Sequence, residues 1–200
     1  MSTMNRRASL ATTLWPAAAS NDLQGLVRKA LLVIGGSLLL TLSAKINVPF
    51  YPVPMTMQTF VVVLIGAAFG WRMGAATVLF YLAQGAAGFP VFAGTPEKGI
   101  GLAYLMGPTG GYLVGFVAGV AVAGWLAERG WDKSFLRLAL AMLVAHAVIF
   151  AFGVAWLGAL IGFEKAWIVG VAPFYLATAF KTVLAAACLK LGWSTANIRG

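Results

Sequence analysis

Lys181 is the residue of this sequence most in need of a chemical explanation. It lies inside VAPFYLATAFKTVLAAACLKLGW, residues 171–193, with apolar turns on both sides. An ammonium at mid-bilayer costs roughly 2.5–3.5 kcal/mol on insertion scales. Snorkelling relieves that cost best near helix ends, which accounts for Lys45 and Lys190 but not for Lys181. Two readings stay open. The ammonium pairs with a backbone carbonyl or reaches an interface, or it faces an internal cavity and awaits a polar or anionic ligand. All five carboxylates (Asp22, Glu97, Glu128, Asp132 and Glu164) fall in tails or connectors. A relay of buried acids is therefore missing, which argues against a proton-coupled pump of the intramembrane-carboxylate type. It also leaves Lys181 without a built-in counter-ion, a place that a bound anion or a carbonyl-bearing ligand would fill.

Other reactive groups point away from catalysis. His146 is the single histidine and sits in an apolar helix with no nearby carboxylate. Metal sites need several convergent ligands, so a hydrogen bond between helices is the expected role. Cys188 is the single cysteine, which excludes an intrachain disulfide and a thiolate cluster and reads as a small core hydrophobe. The segment GPTGG at 107–111 continues with Tyr112, where a phosphate-binding loop of the Walker type needs Gly-Lys-Ser/Thr. Ser37 and Ser43 have no histidine or carboxylate at useful helical spacing. Neither an enzyme nor a nucleotide-binding subunit is expected, and no cofactor or metal is implied.

Polar and aromatic residues gather toward one end of the chain's apolar segments. Gln58, Thr59, Tyr81, Gln84, Phe92 and Lys98 are candidates for lining a cavity, with Thr178 one helical turn from Lys181 on the same face. An apolar pocket with a few placed polar groups is the usual form of a small-molecule site. Gly111, Gly115 and Gly119 recur every four residues, a spacing that lets two helices approach closely in lipid.

The elements that must position these residues follow from composition. Hydrophobic residues make up 61% of the 200 and charged residues 10%, too few to cover a water-facing surface. The chain is an integral, multi-pass membrane protein of all-α class. Apolar segments at about 30–46, 56–70, 73–87, 104–126, 136–161 and 169–191 give six spans, the second and third being short for a bilayer. With the N-terminus in the cytoplasm, ten Lys/Arg lie inside and three outside, so both termini face inward. Residues 1–27 read as a polar tail, 28–193 as one membrane domain and 194–200 as a second short tail. The formal charge of +9 is spread between apolar segments, a pattern of membrane topology rather than of nucleic-acid binding.

Three motifs, VPFYPVPMTMQTF (48–60), YLAQGAAGFPVFAG (81–94) and LMGPTGGYLVGF (105–116), resemble the BioY family. These are biotin-specific S components of energy-coupling-factor (ECF) transporters, and the likeness covers about residues 30–192. The resemblance implies a six-helix subunit in the bacterial inner membrane that captures biotin from outside. It implies delivery inward with a transmembrane coupling subunit and ABC-type ATPases. It also implies ligand contacts at Gln84, Lys98, Thr178 and Lys181, with Tyr81 and Phe92 packing the ring. Many relatives carry an aspartate where Thr178 stands, and lysine at 98 gives a point charge where arginine gives a fork. The family's small-residue docking stripe on the first helix corresponds to Gly36, Leu40 and Ala44. An S component for thiamin or riboflavin, and a purely structural membrane subunit, are the competing readings.

Overall fold

The computed structural model describes residues 9–15, 23–48 and 51–198. Arg6, Arg7, Asp22, Arg199 and part of the proline-rich connector lie outside the described residues. The chain runs through α1 (Leu10–Leu14) and α2 (Leu23–Lys45), then a two-residue antiparallel ladder of β1 (Asn47–Val48) and β2 (Met55–Thr56). There follow α3 (Gln58–Phe69), α4 (Trp71–Ala86), α5 (Gly101–Leu105), α6 (Gly110–Glu128), α7 (Phe135–Ile161), α8 (Phe163–Gly170) and α9 (Tyr175–Ile198). Six of these, α2, α3, α4, α6, α7 and α9, form the bundle.

Four stretches are long and apolar enough to cross a membrane: α2, α6, α7, and α8 taken with α9. The remaining two bundle helices are shorter. α3 has 12 residues and α4 has 16, which at 1.5 Å per residue is about 18 Å and about 24 Å. A spanning helix needs about 30 Å. Shortness has different meanings in the two. α3 is buried along most of its length and packs on α2, α4, α6 and α9, so it needs no lipid-matching length. α4 shows Leu79 and Phe80 to the surroundings.

Element boundaries follow local chemistry. α3 and α4 meet at Gly70, whose φ of 80° lies in the left-handed region that favours glycine. The first amide of α4, Trp71 N–H, donates to the Glu128 carboxylate at 3.1 Å, which places an anion at a helix N-terminus. Two spans differ from the sequence expectation. The segment expected to begin at Tyr104 splits, because Gly107 and Pro108 separate α5 from α6. The last apolar run divides at a 3-10 turn, Ala172–Phe174, that carries Pro173, so α8 and α9 are separate helices.

The expected tail boundaries also shift. Residues 10–14, read from sequence as part of a polar tail, form a helical turn whose Leu10 is buried beside Gly192. Arg28 holds it there, donating to Ala11 O at 2.9 Å with its guanidinium over the Trp15 ring. α9 continues to Ile198 rather than ending near 193.

Two hydrophobic clusters divide the core. One is rich in aromatics: Tyr81, Phe92, Tyr104, Tyr112, Phe116 and Phe174. The other is built mainly from small and aliphatic side chains, among them Ala67, Ala123, Met142, Ala145, Ala185 and Leu189. The second lies at the basic end, where Lys190 donates to Lys133 O and the Lys133 ammonium sits over Trp193. Between α6 and α7 the backbones approach closely. A methyl group added at Gly111, Gly115 or Gly119 would meet Trp156, Phe152 or Ile149 of α7.

Candidate functional site

At the end of the bundle opposite the basic rim, the short central helix leaves space unfilled. α3 begins only at Gln58, and a cavity of about 50 Å³ lies over its first turn. Its floor and walls include Thr56, Gln58, Thr59, Phe150, Thr178 and Lys181. Tyr112, Phe116 and Phe174 supply apolar wall. Val53 and Pro54 of the first connector, Ala93 of the second and Tyr104 of α5 line it on the connector side.

Lys181 is 5% exposed. Its Nζ donates to Thr56 O at 2.6 Å and to Thr59 Oγ1 at 3.4 Å. Both acceptors are neutral. An ammonium has three donors, so one remains beside the cavity, and among the described residues no carboxylate is set against the positive charge. Both sequence readings of Lys181 therefore hold in part: it bonds a carbonyl, and it also lines a cavity. Thr178, one turn away on α9, is buried and lines the same space.

The other residues predicted from sequence fall at different distances from the cavity. Tyr81 and Phe92 stand one layer behind its wall. Tyr81 Oη accepts from Gln58 Nε2 at 2.7 Å and donates to Val91 O at 3.0 Å. Phe92 stacks on Tyr104 with ring centroids 4.9 Å apart and meets Tyr81 edge-on at 5.4 Å. Gly85 admits this packing, since a methyl there would run into the Phe92 ring. Gln84 is turned toward α2, where its side-chain oxygen accepts from Ser37 Oγ. Lys98 is exposed on the second connector, outside the cavity lining.

The docking stripe differs from expectation. Gly36, Leu40 and Ala44 face the bundle interior: Leu40 and Ala44 are fully buried, and a methyl at Gly36 would strike Thr77. A close approach of α2 to α4 is what the small residue serves. The outward face of α2 is instead Leu31, Ile34, Leu38 and Leu42.

Sequence reasoning assigned Lys45 to snorkelling, and the structure gives it a different role. Its Nζ lies 2.8 Å from Pro90 O, 3.0 Å from Phe92 O, 3.2 Å from Thr95 Oγ1 and 3.4 Å from Thr95 O. The end of α2 thus clamps the loop whose Ala93 roofs the cavity. A lysine immediately before a proline-rich connector was the available signal. The loop carbonyls it meets are 45 to 50 residues distant in sequence, and no spacing rule reaches that far.

His146 is fully buried, and its Nδ1 donates to Met142 O at 2.8 Å within its own helix. Among the described residues, no group of three or more His, Cys, Asp or Glu side chains is placed to hold a metal ion.

Residues 7–197 match the BioY family. The chain belongs to that family. It is 39% identical over 147 residues to a probable biotin transporter BioY of Pyrococcus horikoshii, covering 74% of this chain and 85% of the relative. It is 40% identical over 149 residues to the biotin transporter BioY of Thermotoga maritima, with the same shares covered. The fold matches the crystal structure of an S-component for biotin from an ECF-type ABC transporter, with a TM-score of 0.73 at 21% identity. That match covers 86% of this chain and 93% of the other. This BioY-family chain is thus a multi-pass, all-α membrane protein with its cavity at the end of the bundle away from the basic rim.

Proposed function

We propose that this chain is a biotin-capturing S component, which takes the vitamin from the outer side of the membrane and delivers it inward. Its partners in that reading are a transmembrane coupling subunit and ABC-type ATPases of an energy-coupling module. The chain contributes recognition and movement, with no catalytic step of its own. Its BioY relatives support the reading. The observation that carries it is Lys181, a buried ammonium beside a cavity, satisfied only by a carbonyl and a hydroxyl.

Biotin combines an apolar bicycle and chain with a ureido group and a carboxylate. Lys181 donates its remaining N–H to the ureido oxygen or the carboxylate, a charge-assisted bond in a water-poor site. The Thr178 hydroxyl accepts a ureido N–H, in the place where many relatives offer an acid. Tyr112, Phe116 and Phe174 pack the bicycle. Tyr81 and Phe92 act one step back, by holding Tyr104 and the roof loop. Gln84 acts through Ser37, by fixing α4 against α2. Lys98, on the exposed connector, draws the carboxylate toward the entrance.

Pockets for ligands of drug size run to about 300–1,000 Å³, far above the 50 Å³ of this partly open cavity. Capture therefore includes lifting the roof formed by Val53, Pro54, Ala93 and Tyr104. Equilibrium binding of labelled biotin to the purified full chain in detergent tests the proposal, with thiamin and riboflavin as competitors. Saturable binding displaced by unlabelled biotin alone is expected. Displacement by either competitor would reassign the substrate, and failure to bind any of the three would leave a structural subunit.

A further inference from the structure

The basic end of the bundle carries a feature that vitamin binding does not use. An apolar groove of about 620 Å³ is lined by Trp71, Ala121, Val122, Trp125, Leu126 and Val144. It follows α6 and the facing side of α7 toward the basic rim. From Ala121 to Arg129 is eight residues, about 12 Å along the helix axis. Both tryptophans of the groove carry a guanidinium. The Arg129 Cζ lies 3.2 Å from the Trp125 ring centroid, and the Arg72 Cζ lies 5.2 Å from that of Trp71. Arg137 stands seven residues before Val144, hence on the same face of α7 and two turns nearer the rim. All three arginines are exposed.

The three arginines outnumber the two neighbouring carboxylates, so the rim stays net positive. Glu128 is engaged with the Trp71 amide at 3.1 Å. Asp132, in the turn between α6 and α7, is buried at 4% exposure. A hydrocarbon groove thus runs up to a rim of three guanidiniums at the depth where tryptophans settle, the bilayer interface. Guanidinium forks match phosphate oxygens in shape as well as in charge.

We infer that this groove and its rim form a site for an anionic phospholipid. One acyl chain lies along Val122, Trp125 and Val144, and the phosphate sits among Arg72, Arg129 and Arg137. A zwitterionic lipid fills the groove equally well but forgoes the net attraction of the rim. That attraction is worth about fivefold in affinity per arginine near a membrane surface.

The test is native mass spectrometry of the full chain in detergent, titrated with phosphatidylglycerol or phosphatidylcholine. The unmodified protein should retain phosphatidylglycerol preferentially. The triple variant R72Q/R129Q/R137Q should lose that preference by about 100-fold, and R137Q alone, at an exposed position, by about fivefold. K98Q/K165Q, which removes cations from the opposite end, should leave it within about twofold. V122W, which fills the groove and spares the rim, should weaken retention of both lipids. Equal retention of the two lipids by the unmodified protein would overturn the site. So would a preference that survives in the arginine variants, or one that falls as far in the Lys98/Lys165 variant. Displacement of the lipid by millimolar glycerol 3-phosphate would assign the rim to a free phosphate instead. Each variant is first checked for a single species on size exclusion, and R137Q keeps the test alive should the triple variant fail to fold.

Discussion

The two halves of the bundle are packed by different rules. Toward the cavity, the core is made of aromatic rings tied by hydroxyl hydrogen bonds: Tyr81 to Val91 O, Tyr104 to Ala93 O and Tyr112 to Gly170 O. At the basic end it is made of small and aliphatic side chains, with Ala185 and Ala186 fully buried beside Leu189. A ring held by one polar tip can be displaced and regain its bond. A close-packed alanine interface has no such second arrangement, because interiors at crystal-like density do not deform continuously. The cavity half is thus joined through polar tips on aromatic rings, and the basic half through close contact of small side chains.

Three substitutions sharpen this contrast. Lys181→Met keeps the side-chain volume near that of lysine and removes the charge. Hydrogen bonds to charged groups contribute about 1.5–3 kcal/mol, so biotin affinity by calorimetry should fall by about 10- to 150-fold; unchanged affinity would remove Lys181 from the site. Ala185→Leu tests the other half. Overpacking a dense core costs about 1–3 kcal/mol, so the thermal midpoint in detergent should drop while biotin affinity of the folded fraction stays within about twofold. A lost affinity at constant stability would show the two halves to be one unit. Lys45→Met acts on the roof alone. Freed from its clamp, the loop should release labelled biotin about tenfold faster in a stopped-flow chase, with about 1.5 kcal/mol lost, and with the association rate equal or higher. Equal loss from both rates would mean the clamp shapes the pocket rather than holding it shut.

Much of this was legible in the sequence, for identifiable reasons. Apolar runs and the Lys/Arg bias read out the bundle because lipid imposes length and charge rules on single segments. Lys181 stood out because a mid-span charge demands an explanation wherever it points. Contacts made across the chain were not legible. The Gly36, Leu40 and Ala44 stripe has the small-residue spacing of any close helix contact, and spacing does not say whether the partner is another subunit or α4. Gln84 was placed at the ligand on resemblance, yet its oxygen meets Ser37. Lys45 looked like a snorkelling end because three of its four acceptors are main-chain oxygens, which leave no mark on side-chain patterns. Residues 10–14 read as tail because five residues are too few to show periodicity. Their docking depends on Arg28, which could equally have been a topology charge.

One dimension of the bundle bears on how it rests among lipids. α4 presents about 24 Å of helix to its surroundings, whereas α7, at 27 residues, presents about 40 Å. A bilayer that meets a low wall on one flank and a tall one on the other either thins beside the first or lets the whole body lean. The short flank along α4 is therefore where the surrounding lipid must yield, by thinning there or by letting the subunit tilt.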